Sequence, residues 1–296
     1  MRQAERRGAA AAVRAGDAGA IRRAGIILLS SLILLAAYAL PGKAATDEQV
    51  NDFLKVTGFD VALESIQLSA EAGPQMLNLQ QSDFATTWKV LTDDIFAPAT
   101  LKSMGEKMIQ AKISDEELAF ASDFYSGDLG KRLVEAENAS HMDTDQDRSA
   151  KSQDVLAKLI DDGKTDRVAL LDRLNAAVDA ADDSEISMAD VQFRFLTAAR
   201  DAGIIDFQVD DQTLHDSLKE NAKANKDQNR MNALINSAYT YRDFTDAELE
   251  TYAKALEDPK MQAVYKLMND VQYEVMAERF EAAAAKLKGV EPSTDL

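Results

Sequence analysis

Apolar side chains near the end of this chain recur at the spacing of one helical face, with Val264, Met268, Val271 and Val275 at i, i+4, i+7 and i+11. Leu171, Leu174 and Val178 repeat the pattern at i, i+3 and i+7. At 3.6 residues per turn such positions lie over one another and form a stripe that must be covered by a neighbour. Two-residue alternation is nearly absent, and only Ile204 to Val209 reads as an extended stretch or a loop between helices. The expected fold class is therefore all-α. The chain has no cysteine, so neither a disulfide framework nor a thiolate metal site can form, and the body has to hold together by packing.

Residues 1–44 have a different character. Arg22 and Arg23 precede an apolar run from Ala24 to Leu40, and Pro41-Gly42-Lys43-Ala44 closes it with a small-x-small pattern suited to a signal peptidase. An export signal cleaved after Ala44 is one reading. An uncleaved anchor spanning the membrane through residues 24–40 is the other, because roughly 17 apolar residues sit at the lower limit for crossing hydrocarbon. Both place the body beyond the cytoplasm, which in a Gram-negative cell is the periplasm, with the arginines left behind by the positive-inside bias.

The chain carries 33 basic and 51 acidic residues, of which residues 1–44 hold seven and two, leaving 26 against 49 and a net charge of −23 for the body. Such a field repels nucleic acid and anionic lipid headgroups. Nucleic acid is accordingly excluded as a partner, and a membrane is met only through residues 24–40 if these are retained.

A segment recurs at an offset of 131 residues. Ser114-Asp115-Glu116-Glu117-Leu118 is matched by Thr245-Asp246-Ala247-Glu248-Leu249, with the apolar Ile113 and Phe244 ahead of each. Both read as capping boxes, in which Ser114 or Thr245 accepts from the amide of Glu117 or Glu248 and that glutamate returns to the cap's own amide. The match runs on into a turn, Phe124 to Asp128 against Ala255 to Pro259, where Asp258 suits a cap and Pro259 the first helical position. Two diverged helical units are expected, at 45–163 and 164–289, followed by a flexible tail at 290–296.

The run Ser114-x-x-Glu117-Leu118, Phe124-Tyr125 and Gly130-Lys131-Arg132-Leu133 resembles an uncharacterised family of exported Gram-negative helical proteins, domain of unknown function 2059. The turn of that family reads Phe-Tyr-x-Ser-Pro-x-Gly. Here Gly127-Asp128 stands in place of Ser-Pro, while the second copy keeps Pro259 and has Met261 in place of the glycine. The resemblance extends over most of the body and implies an exported helical protein without a known activity.

Candidate chemistry is sparse. Asp143, Asp145, Asp147 and Asp154 occupy positions 1, 3, 5 and 12 of a calcium-loop template, but Arg148 stands where a glycine makes the sharp turn and Asp154 is shorter than the usual bidentate glutamate. His141 and His215 have no second imidazole at helical spacing. No phosphate loop is present, and no cofactor is expected. Glu117 and Glu248 read first as caps and second as a symmetric carboxylate pair. Phe124, Tyr125, Tyr239, Tyr241 and Arg242 are the candidate lining of a groove for a partner or ligand, aromatics with a polar tip being suited to half-wet surfaces. Trp88 reads as a core residue. The composite expectation is a non-enzymatic exported protein that binds a protein or envelope component; an envelope hydrolase with a carboxylate site and a membrane-anchored structural protein are the alternatives.

Overall fold

Every regular element among the described residues is helical, as the apolar period requires. The computed structural model describes residues 45–77, 81–181 and 187–288; the leader and the tail at 290–296 lie outside them. In chain order the helices are α1 Asp47–Thr57, α2 Phe59–Glu64, α3 Ile66–Ala70, α4 Gly73–Met76, α5 Gln81–Ile95, α6 Pro98–Lys112, α7 Asp115–Ser126, α8 Asp128–His141, α9 Arg148–Asp161, α10 Thr165–Ala181, α11 Met188–Asp201, α12 Asp211–Ala224, α13 Lys226–Thr240, α14 Asp246–Leu256 and α15 Pro259–Lys286. Residues 204–209 form the irregular connection between α11 and α12. No helix among the described residues is long and apolar enough to cross a membrane.

Helix α15 organises the rest. Its 28 residues span about 42 Å at 1.5 Å per residue, and it packs against α5, α6, α7, α10, α11 and α14. Met261, Val264, Val271, Val275 and Phe280 are buried along it, while Ala283 and Ala284 let neighbours approach closely. Phe280 meets Phe96 at 5.1 Å and Phe195 at 4.9 Å between ring centroids, and Trp88 lies 6.1 Å from Phe195 with its indole N–H donated to the Ala70 carbonyl at 2.8 Å. Burying each such side chain contributes about 1.5–3 kcal/mol. Leu156 of α9 and Leu171 and Leu174 of α10, on either side of residue 163, join the same hydrophobic core.

Helix ends follow local chemistry. Ser114 accepts from the Glu117 amide at 3.2 Å while Glu117 accepts from the Ser114 amide at 2.9 Å, and Thr245 and Glu248 make the same pair of bonds at 3.3 and 2.8 Å. Asp258 accepts from the Lys260 amide at 2.9 Å ahead of Pro259. Gly58 ends α1 with φ of 73°, a left-handed conformation that side chains resist. Gly130 serves close approach instead: a Cβ there would stand 2.4 Å from the Phe124 carbonyl oxygen and from Tyr125 Cα. Met261, which follows Pro259 by two residues as Gly130 follows Asp128, is fully buried.

Candidate functional site

Helix α8 carries two different faces, and the candidate site is built around it. Inward, Leu133 and Val134 are buried in the core, and Glu137 follows them at i+4 and i+3, on the same side of the helix. The stretch around Glu137 is partly buried, with its carboxyl end enclosed. There its Oε1 accepts from the hydroxyls of Tyr241, at the end of α13, and Tyr252, on α14, each at 2.8 Å. Tyr125 of α7 and Tyr265 of α15 complete the group: the Tyr252 oxygen lies 3.2 Å from that of Tyr125 and 2.9 Å from that of Tyr265, and the last two are 2.6 Å apart.

Each phenol has one proton to give. Tyr252 gives its proton to Glu137, so of Tyr125 and Tyr265 one donates to the other and the remaining one donates to Tyr252. All three hydroxyls of the triangle are thereby satisfied with one exit to the carboxylate. Burial, reinforced by the Glu137 charge, pushes the phenols of Tyr241, Tyr252 and Tyr265 up; the Tyr125 phenol is raised by burial and then by Tyr265 and Glu137. Burial also raises Glu137 above 4.5, against the two phenolic bonds that hold it down. The rings pack as well: Phe124 stacks on Tyr252 at 5.9 Å, and Tyr241 meets Tyr252 edge-on at 6.1 Å.

Outward, Arg132, Glu135, Ala136, Ala139 and Ser140 form one stripe at i, i+3, i+4, i+7 and i+8. This stripe is the floor of a cleft of about 400 Å³ whose far wall is the turn from Tyr239 to Phe244, with Arg148 at its edge. Two guanidinium groups lie over the Tyr239 ring, Arg148 at 4.4 Å and Arg242 at 4.0 Å from the centroid, and Arg132 lies 5.3 Å from the centre of Phe244. Arg132 also bonds Glu248, tying α8 to the start of α14. That guanidinium, the Thr245 amide and the Thr245 hydroxyl together hold the Glu248 carboxyl down to about 2, the amide contributing most. The cleft is large enough for a small ligand and presents cationic, aromatic and small apolar surface in one place.

The residues singled out as groove candidates therefore separate. Tyr239 and Arg242 line the cleft, whereas Phe124, Tyr125 and Tyr241 belong to the interior cluster behind it. Glu117 and Glu248 each cap their own helix, and Glu248 also bonds Arg132. The four aspartates of the calcium template do not converge. Asp143 accepts from the Asp145 amide at 2.9 Å and from Arg148 at 2.6 Å, Asp145 accepts from the Asp147 amide at 2.9 Å and pairs with Lys151, and Asp154 is exposed on α9. The Asp143 and Asp145 carboxylates are spent on turns and cations, and among the described residues no group of three or more acidic or imidazole side chains is placed to hold a metal ion. His215 lies 2.6 Å from Asp190 and packs on Phe193, away from His141 at the end of α8.

Sequence reasoning passed over Glu137, Tyr252 and Tyr265, and took Arg148 only as an obstacle to calcium. A carboxylate one turn beyond Leu133 on an inward face was the available local signal for Glu137; the tyrosines give none, being 115 and more residues away. No family model, curated protein or solved structure matches the chain.

Proposed function

We propose that this is an exported, non-catalytic binding protein that holds its partner or ligand in the α8 cleft. The observation that carries this reading is the construction of the cleft: a floor in which the small Ala136, Ala139 and Ser140 lie beside Arg132 and Glu135, a wall of Tyr239 and Phe244, and guanidinium groups stacked on both rings. Aromatic and arginine side chains at one concave place are what recognition sites concentrate. The carboxylate behind the cleft supports binding rather than turnover, since Glu137 is engaged by phenols and does not line the cleft. Residues 1–44 supply the export signal, and the chain is a divergent relative of the exported helical family it resembles.

The test combines address and occupancy. Full-length protein expressed in a Gram-negative host is expected in the periplasmic fraction with an intact mass that begins at Ala45. A photo-crosslinking phenylalanine analogue in place of Glu135, exposed at the rim of the cleft, is expected to capture one saturable species, while the same group in place of the exposed Lys89 captures none. Retention in the cytoplasm, or equal labelling from both positions, would contradict the proposal.

A further inference from the structure

The cleft's three arginines are not equivalent, and the difference identifies what the cleft takes. Arg148 makes four hydrogen bonds: Nε donates to Ser152 Oγ at 3.2 Å, Nη1 to Asp143 at 2.6 Å, and Nη2 to Ser140 Oγ at 2.9 Å and Thr240 Oγ1 at 3.4 Å. Its side chain is only 15% exposed, so it acts as a strut that fixes the Tyr239 ring. Arg242, over the same ring, donates one hydrogen bond, from Nη1 to the Tyr239 carbonyl at 2.6 Å. Its nearest carboxylate, Asp243, stands 3.6 Å from Nε and is 83% exposed, a rim contact of little strength. A guanidinium has five N–H donors in a planar fork, so among the described residues most of those on Arg242 are open, with the group stacked on a ring and aimed by a peptide bond. Arg132 adds a second guanidinium, which lies over Phe244 and hydrogen-bonds Glu248 among the described residues.

We propose that the cleft binds the carboxylate of a small monoanionic molecule on Arg242, with a flat apolar body lying against Ala136, Ala139 and Phe244. This rests on the reading of the cleft as the binding site. The fork of a guanidinium matches two carboxylate oxygens, and stacking on Tyr239 holds it in place before the ligand arrives. Charge selects against higher anions. The body has a net charge of −23, and within the cleft the exposed Glu135 and Asp243 flank the site. A second negative charge on the ligand meets those carboxylates, whereas a single one is neutralised by Arg242.

Calorimetric titration of the full chain at pH 7 with benzoate, and separately with inorganic phosphate, tests this. Benzoate is expected to saturate one site per chain and to bind more tightly than phosphate. Arg242→Gln is expected to weaken benzoate by at least about tenfold, and Arg242→Lys to weaken it as well, because the fork is lost while the charge stays. Ala139→Leu fills the floor and abolishes binding. Arg200→Gln, which removes a guanidinium lying over Phe207 elsewhere on the surface, is expected to leave binding unchanged. Tighter binding of phosphate, equal losses in Arg242→Gln and Arg200→Gln, or no saturable binding of benzoate would each overturn the proposal. If benzoate fails while crosslinking from position 135 still captures one species, the ligand class falls and the cleft stands as the binding face; if both fail, the reading of the cleft falls too.

Discussion

Glu135 and Glu137 are separated by one residue on α8 and by the thickness of the helix. Two steps of 100° turn them to opposite sides. Glu137 lies among four tyrosines and accepts two phenolic hydrogen bonds at 2.8 Å, while Glu135 stands exposed at the rim of the cleft. The same residue type is an acceptor around which five helices are pinned on one side and an exposed charge on the other. Because α8 carries both, its interior cluster can set the position of the cleft floor without taking part in what binds there.

The comparison breaks most visibly at Glu137. Removing the acceptor takes the Glu137 bond from the buried Tyr241 hydroxyl, at about 1–3 kcal/mol, turns the Tyr252 proton back toward Tyr125 or Tyr265 and empties the space of the side chain, so Glu137→Ala is expected to cost about 3 kcal/mol and to lower the melting temperature by roughly 6–12 °C in a body of this size. Glu137→Gln keeps an acceptor oxygen and is expected to cost about 1 kcal/mol. Circular dichroism melts of the two variants measure the difference; equal melting of wild type and Glu137→Ala would mean the cluster contributes nothing to stability.

A smaller break comes from Gly130→Ala. The new methyl group would meet backbone atoms of α7 rather than a movable side chain, and overpacking of this kind costs about 1–3 kcal/mol. Chemical denaturation checks this. An unchanged midpoint would show that α7 and α8 can part without loss, and so that the Tyr125 contacts are slack.

Smaller again are the pH effects, which have opposite signs at the two carboxylates α8 touches. Burial raises Glu137 in the folded state, so the folded protein holds a proton there that the unfolded chain has lost above 4.5. Its contribution is complete below 4.5 and is lost as pH rises through the raised folded value. Glu248, held at about 2, contributes above 4.5 and loses that contribution as pH falls toward 2. Denaturation midpoints measured across pH for wild type and Glu137→Gln are expected to differ by a curve that changes above pH 4.5, with the variant relatively more stable at the higher end. A flat difference would remove Glu137 from the titration.

The least effect on stability is expected at Arg242. It is 43% exposed on a rim, and Arg242→Gln is expected to shift stability by no more than about 0.5 kcal/mol, in contrast to its effect on binding.

What was legible in the sequence is what is written locally. The period of Val264, Met268, Val271 and Val275 announced helix, and three of the four are fully buried on α15, Met268 being packed against the core. Ser114 with Glu117 and Thr245 with Glu248 are bonds between residues three apart, so the spacing itself carries their chemistry. The cluster and the cleft are of another kind. Glu137 meets Tyr252 across 115 residues, and Tyr125 meets Tyr265 across 140; no short pattern records such pairings. Tyr125 and Tyr241, read as half-wet groove aromatics, have hydroxyls that found partners inside the protein, an outcome decided by which helices pack on α8. Arg148 was noticed where a glycine would serve calcium, yet its role came into view only with Tyr239 brought beside it by α13.

The most direct test of the separation between the two faces of α8 is benzoate calorimetry at pH 7 on Glu137→Gln and Arg242→Gln side by side. The expected result is that Glu137→Gln binds as wild type does and Arg242→Gln is weakened at least about tenfold. Binding that is lost in both variants, or kept in both, would contradict it.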